Sequence, residues 1–97
     1  MKYPYREYVS VFKALADETR LKIIQMLSSG ELCACNILEE FNITQPTLSY
    51  HMKILTECGL VKGVKEGSWM KYTINNERLE IVKDIYEDVN KNREGIR

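Results

Sequence analysis

Apolar residues recur with helical spacing through most of this chain and cluster in strand-like runs in one place. After Pro4, which suits a first helical position, Tyr5, Tyr8, Val9, Phe12 and Leu15/Ala16 follow the helical period. Asp17 suits the N-cap of a second helix that carries Leu21, Ile24 and Leu27/Ser28 and closes at Gly30. A third, short helix is expected from about Cys33 to Phe41, with Leu38 and Phe41 inward, followed by a turn at "NITQ". Thr44 caps a fourth helix, which has Gln45 and Pro46 in its first turn, runs to Cys58 and stops at Gly59. Its apolar positions Leu48, Met52 and Leu55 fall at i, i+4 and i+7. Two β-type runs, Leu60–Val64 and Trp69–Ile74, flank Lys65–Ser68, and Gly67 between them signals a hairpin. Asn75 or Asn76 caps the last helix, whose Leu79, Val82, Ile85/Tyr86 and Val89 form one stripe, and the tail "REGIR" is expected to fray.

The order helix, helix, helix–turn–helix, hairpin, helix defines a mainly α (α+β) fold. It is a winged helix-turn-helix of about five helices with one two-stranded β-hairpin wing. Ninety-seven residues support a single domain. No apolar run approaches the roughly 18 residues a membrane span needs, and the charged, tyrosine-rich N-terminus lacks the apolar block of a secretory signal. A cytoplasmic protein with reduced thiols is expected, and three cysteines argue against a disulfide framework.

The net charge is zero, but its distribution is uneven. Residues 1–43 and 75–97 each carry five Lys/Arg against six Asp/Glu, whereas residues 44–74 carry Lys53, Lys62, Lys65 and Lys71 against Glu57 and Glu66. With Leu48, Met52 and Leu55 inward, the fourth helix presents Gln45, Thr47, Ser49, Tyr50 and Lys53. Glutamine can pair with adenine, hydroxyls with bases or phosphates, and lysine with guanine or phosphate. Lys62, Lys65 and Lys71 surround the hairpin turn, where a wing can lie along a nucleic-acid backbone. The bland alternative for both is a solvated polar surface. His51, the sole histidine, falls beside the buried stripe and reads as a core histidine bonded to a backbone group, since a metal ligand needs partners. No Gly-rich phosphate loop and no nucleophile–base signature points to an enzyme.

The segment "ELCACNILEEF" holds two cysteines one residue apart. Residues i and i+2 lie about 200° apart around a helix. If both are helical, one thiol packs while the other points away, and both reach one ion only if the helix start unwinds or bends.

"LADETRLKIIQML", "GELCACNILEEF", "TQPTLSYHMKIL", "CGLV" and the G-x-x-x-x-Y of the wing together resemble the ArsR family of metal-responsive repressors. Within that family the chain is most similar to the arsenical-resistance operon repressors, from about Phe12 to Ile74. The resemblance implies a homodimer that binds a palindromic double-stranded operator and is released by an inducer. It implies a dimer interface on the first and last helices, here Tyr8, Phe12, Leu79, Val82, Ile85, Tyr86 and Val89. It also implies that the Cys33 and Cys35 thiolates bind trivalent arsenic or antimony, soft ions that favour sulfur. No cofactor is expected for folding. Some relatives carry a third cysteine where this chain has Leu38. Cys58 lies roughly 20 Å along the fourth helix from its start at 1.5 Å per residue and reads as a packed small hydrophobe. A zinc site on the last helix lacks its histidine, and residues 1–32 hold no cysteine. Three rivals stay open: a thiol redox switch at the same pair, the same fold sensing another thiophilic metal ion, and a winged-helix interaction module without a DNA role.

Overall fold

The computed structural model describes residues 1–95. Helix α1 spans Tyr5–Leu15, α2 Glu18–Leu27, and strand β1 Leu32–Cys33; α3 spans Ala34–Leu38 and α4 Gln45–Glu57. Strands β2 (Val61–Glu66) and β3 (Trp69–Ile74) lead into α5, Asn76–Gly95. The sequence signals that set these boundaries are visible as hydrogen bonds. The Asp17 carboxylate accepts from Arg20 N at 3.0 Å and opens α2, and Thr44 Oγ1 accepts from Thr47 N at 3.3 Å and opens α4. Asn75 Oδ1 accepts from Arg78 N at 3.4 Å at the head of α5. The hairpin turn is Gly67–Ser68 alone, with Gly67 at φ +64°, the left-handed backbone that the first position of a type II′ turn demands.

The sheet differs from the expected two-stranded wing. It has three antiparallel strands in the order β1-β3-β2, with Leu32 opposite Tyr72 and Cys33 opposite Lys71. Leu32 and Cys33 satisfy the free edge of β3, a pairing too short to leave a period-2 signature in sequence. The third helix is correspondingly shorter than expected: Cys33 is its N-cap, outside the helical turn, and the helix ends at Leu38. At the other end, the tail expected to fray from Arg93 stays helical to Gly95, while Ile96 and Arg97 lie outside the described residues.

The core runs through all the helices. Val11, Ile23, Ile37, Met52, Leu55, Leu60 and Ile81 are its fully buried large side chains, and Leu48, Met52 and Leu55 are buried as their spacing requires. Two stripes are shifted from expectation. Helix α1 buries Tyr8, Val11 and Ala14, while α2 buries Ile23 and Leu27 and leaves Leu21 exposed. Arg78 fastens the far end: its Nε donates to Cys58 O at 2.8 Å and its Nη1 meets Glu7 Oε1 at 2.7 Å, joining α4, α5 and α1. Among the described residues, no helix is long and apolar enough to cross a membrane. The molecule is elongated, 55 × 24 × 24 Å, with a radius of gyration of 15.4 Å against about 12.5 Å for a compact chain of this length.

Candidate nucleic-acid interface and thiol site

Helix α4 leaves Gln45, Thr47, Ser49, Tyr50 and Lys53 exposed, as its apolar spacing implied. Thr47 also has its hydroxyl engaged, accepting from Thr44 Oγ1 at 3.0 Å. Beside this helix lies the wing: Ser49, Met52, Lys53 and Thr56 share a groove with Gly63, Met70 and Tyr72. Gly63 lets the wing close there, since a Cβ at that position would stand 2.9 Å from the Tyr72 ring. Burial raises the Tyr72 hydroxyl above its ordinary pKa. Lys62 and Lys65 project into solvent, whereas Lys71 is half-buried and pairs with Glu66 at 3.2 Å. Among the described residues, Lys53, Lys62 and Lys65 form no ion pair.

His51 is held differently from expectation. Its partner is a side chain rather than a backbone group: Nδ1 lies 3.1 Å from Arg20 Nη1 and 3.9 Å from Asp17 Oδ2. Arg20 also donates through Nε to Ala14 O at 2.7 Å, so this cluster ties the α1–α2 corner to α4. The hydrogen bond from Arg20 N holds the Asp17 carboxyl below its usual range, with the charges of Arg20 and His51 adding to the effect.

The cysteines answer the geometric problem that their spacing posed. Cys33 has extended backbone (φ −80°, ψ 159°), and helical geometry begins only at Ala34. The 200° separation of two helical residues therefore does not apply, and no unwinding is needed to bring the sulfurs together. Their Cα atoms are 5.3 Å apart and, against the expectation of reduced thiols, the sulfurs are joined as a disulfide. Asn36 locks the corner: its N–H donates to Cys33 Sγ at 3.3 Å, and Cys33 N donates to Asn36 Oδ1 at 3.2 Å. Next to Cys35 opens a hollow of about 310 Å³ lined by Ala34, Cys35, Leu38, Glu39, Gln45, Leu48 and Trp69. Among the described residues, no group of three or more Cys, His, Asp or Glu comes together as a metal site. Cys58 is buried, its thiol donating to Leu55 O at 3.4 Å, as a packed small hydrophobe would. Sequence reasoning missed β1, which joins the thiol corner to the wing, and Trp69, whose only signal was being the chain's sole tryptophan.

A second surface lies on α1 and α5. Tyr5, Val9, Phe12, Tyr86 and Val89 are exposed there, and Leu79, Val82 and Ile85 are half-buried against the core. Tyr8, expected on this face, is only 3% exposed. Its ring packs inside the subunit and its hydroxyl donates to the Asp84 carboxylate, joining α1 to α5. Burial and that hydrogen bond raise the Tyr8 pKa, and the same hydrogen bond lowers that of Asp84.

A helix-turn-helix with a hairpin beside its second helix is a winged helix-turn-helix. Two solved structures share it. An ArsR family transcriptional regulator superposes with a TM-score of 0.91 at 23% identity, covering 97% of each chain. The homodimeric winged helix-turn-helix DNA-binding domain of a possible ArsR-family regulator from Mycobacterium bovis superposes with a TM-score of 0.72 at 25% identity, covering 94% of this chain and 85% of that one. In sequence, residues 17–62 match the model of bacterial regulatory proteins of the arsR family. An arsenical resistance operon repressor of Staphylococcus xylosus is 42% identical over 94% of this chain and 88% of its own length. The chain belongs to the arsR family, a family of regulators and not of enzymes.

Proposed function

We propose that this protein is a homodimeric, cytoplasmic repressor that holds a palindromic operator and releases it when trivalent arsenic or antimony bridges the reduced Cys33/Cys35 pair. The observation that carries this reading is the convergence of the two sulfurs at the point where β1 joins the wing. Two thiolates on one soft ion match its ligand preference. Cys33 sits opposite Lys71 of β3, and Cys35 lines the hollow that reaches Gln45 at the head of α4. Cys33 is the N-cap of α3 and its Sγ accepts from Asn36 N–H, so an ion bound there sits at the corner that joins α3 to the wing. The exposed side of α4 reads base edges from Gln45, Thr47, Ser49, Tyr50 and Lys53, and Lys62 and Lys65 meet phosphates, with Lys71 beside them. The dimer forms through α1 and α5, whose exposed rings and elongated shape leave an apolar surface that one subunit cannot cover. The whole chain acts as one domain with these two helices as its dimerisation elements.

Cys33→Ser and Cys35→Ser are expected to retain operator affinity in gel-shift titrations and to resist release by arsenite or antimonite. Loss of operator binding by a folded, dimeric serine variant would mean that the cysteines serve structure alone.

A second reading rests on the sulfur–sulfur bond itself. A peroxide that oxidises the two thiols to the disulfide, and is itself reduced to water, would switch the same corner without a metalloid. Release from DNA by peroxide alone, reversed by a phosphine reductant, would favour it. Membership of a family of bacterial regulatory proteins sets aside the interaction module without a DNA role.

A further inference from the structure

Arg20 does more than tie α2 to α4. Its guanidinium has five N–H donors and no acceptor. Nε donates to Ala14 O at 2.7 Å, Nη1 to His51 Nδ1 at 3.1 Å and Nη2 to Lys13 O at 3.4 Å, so two N–H groups have no partner among the described residues. Arg20 also lines an open hollow of about 730 Å³ between α1, α2 and the second half of α4. Small-molecule sites measure about 300–1,000 Å³. Buried Ala14 and Cys58 and half-buried Ile54 give this hollow apolar walls. Its charge comes from Arg20 and from exposed Arg6, Lys13 and Glu57, and the last three form no ion pair among the described residues. Three cations therefore face one carboxylate. Of its lining, only Val9 belongs to the exposed apolar face of α1 and α5.

We propose that this hollow is a second ligand site, for a small organic monocarboxylate with an apolar body, and that Arg20 carries its occupancy to α4. A planar carboxylate accepts paired N–H bonds from a guanidinium, which Arg6 and the spare donors of Arg20 supply, and Lys13 adds a third positive charge. Glu57 repels a second negative charge, which selects against dianions such as phosphate monoesters. The apolar body lies against Ala14, Ile54 and Cys58. An anion on the spare N–H groups draws the guanidinium toward the hollow and away from His51 Nδ1, which accepts its bond because arginine only donates. The His51 ring in turn stands edge-on to that of Tyr50, with centroids 5.4 Å apart, and Tyr50 is on the exposed side of α4. The path from the hollow to that side is thus Arg20, His51, Tyr50. No covalent bond changes, so the ligand is an effector. The site is independent of the thiol pair.

The test titrates 2-naphthoate into the full, untagged chain and follows the backbone amides together with the 15N resonance of His51 Nδ1, which is unambiguous because His51 is the sole histidine. Amide shifts around the hollow and movement of Nδ1 should follow one binding curve. 2-Naphthamide, which keeps the body without the charge, and acetate, which keeps the charge without the body, should each bind about tenfold or more weakly than 2-naphthoate. Arg6→Gln combined with Lys13→Gln should weaken 2-naphthoate by about tenfold, whereas Glu57→Gln should tighten it by about threefold, the scale of exposed charge pairs. All three side chains are exposed, so the core amide signals should stay in place and show that the variants are folded. Equal affinity for 2-naphthoate and 2-naphthamide, or indifference to the double substitution, would overturn the site. So would shifts centred on Phe12 and Tyr86, which would put the ligand on the α1/α5 face. Binding that leaves Nδ1 unmoved would overturn the path to α4.

Discussion

The α1/α5 surface and the α4/wing surface are both exposed, yet they are built from different chemistry. The first carries Tyr5, Val9, Phe12, Tyr86 and Val89; the second sets Tyr50, Val64 and Trp69 among an amide, hydroxyls and lysine ammonium groups on α4 and the wing. Exposed rings and aliphatic chains gain by leaving water against a like surface, without regard to direction. Amide, hydroxyl and ammonium groups gain little from that and much from partners with fixed donors, acceptors and charge. The difference teaches that one polypeptide of zero net charge can expose two surfaces of unlike chemistry, one of them with Lys53, Lys62 and Lys65 free of ion pairs among the described residues. The thiol corner lies beside the second surface, since β1 pairs with β3 of the wing and Cys35 shares a hollow with Gln45.

The comparison breaks most sharply if the apolar face is charged. Tyr86→Glu, at a residue 69% exposed, should leave each subunit folded and separate the dimer. Operator affinity should then fall by about 100-fold as two linked half-site contacts become one; sedimentation and gel shift together test this. On the other face, Gln45→Ala should cost about 1–3 kcal/mol of operator affinity and relax preference at one base position, with the dimer intact.

Tyr8→Phe tests the seam between α1 and α5, beneath the first face. It leaves Asp84 without its hydroxyl partner and should lower stability by about 1 kcal/mol in urea unfolding while operator affinity in the folded dimer is retained. Asp17 and Asp84 both have folded-state pKa values below the unfolded carboxylate value. Their contribution is present above that unfolded value, near 3.8, and is lost as pH falls through the lower folded values. Asp17→Asn keeps an N-cap and should flatten part of that acid limb in a pH series of unfolding curves. The smallest effect belongs to Lys65→Ala, which should reduce the salt slope of operator binding by about 1 with little change in base preference.

Much of this molecule was legible in its sequence, and the failures have physical causes. Leu48, Met52 and Leu55 gave the inward side of α4, and hence its outward side, because that helix is apolar on one stripe only. Helix α1 is apolar on two: Tyr8, Val11 and Ala14 face the core while Tyr5, Val9 and Phe12 face out. Periodicity records both and cannot say which is which, so Tyr8 was assigned to the wrong side and Val11 was overlooked. Ile81 on α5 was overlooked for the same reason, beside Val82 and Ile85. At the thiol corner the residue types were readable but their relation was not. Whether Cys33 lies inside or outside a helix is decided by β1 pairing with β3, a contact between residues 38 positions apart, Cys33 and Lys71.

The central claim is that Cys33 and Cys35 act together as one thiophilic site. Its most direct test is alkylation of the phosphine-reduced protein with and without one equivalent of arsenite per subunit, read cysteine by cysteine by mass spectrometry. Cys33 and Cys35 should both be protected, with Cys58 labelled to the same extent in the two samples. Protection of neither, or of only one of the pair, would contradict the account.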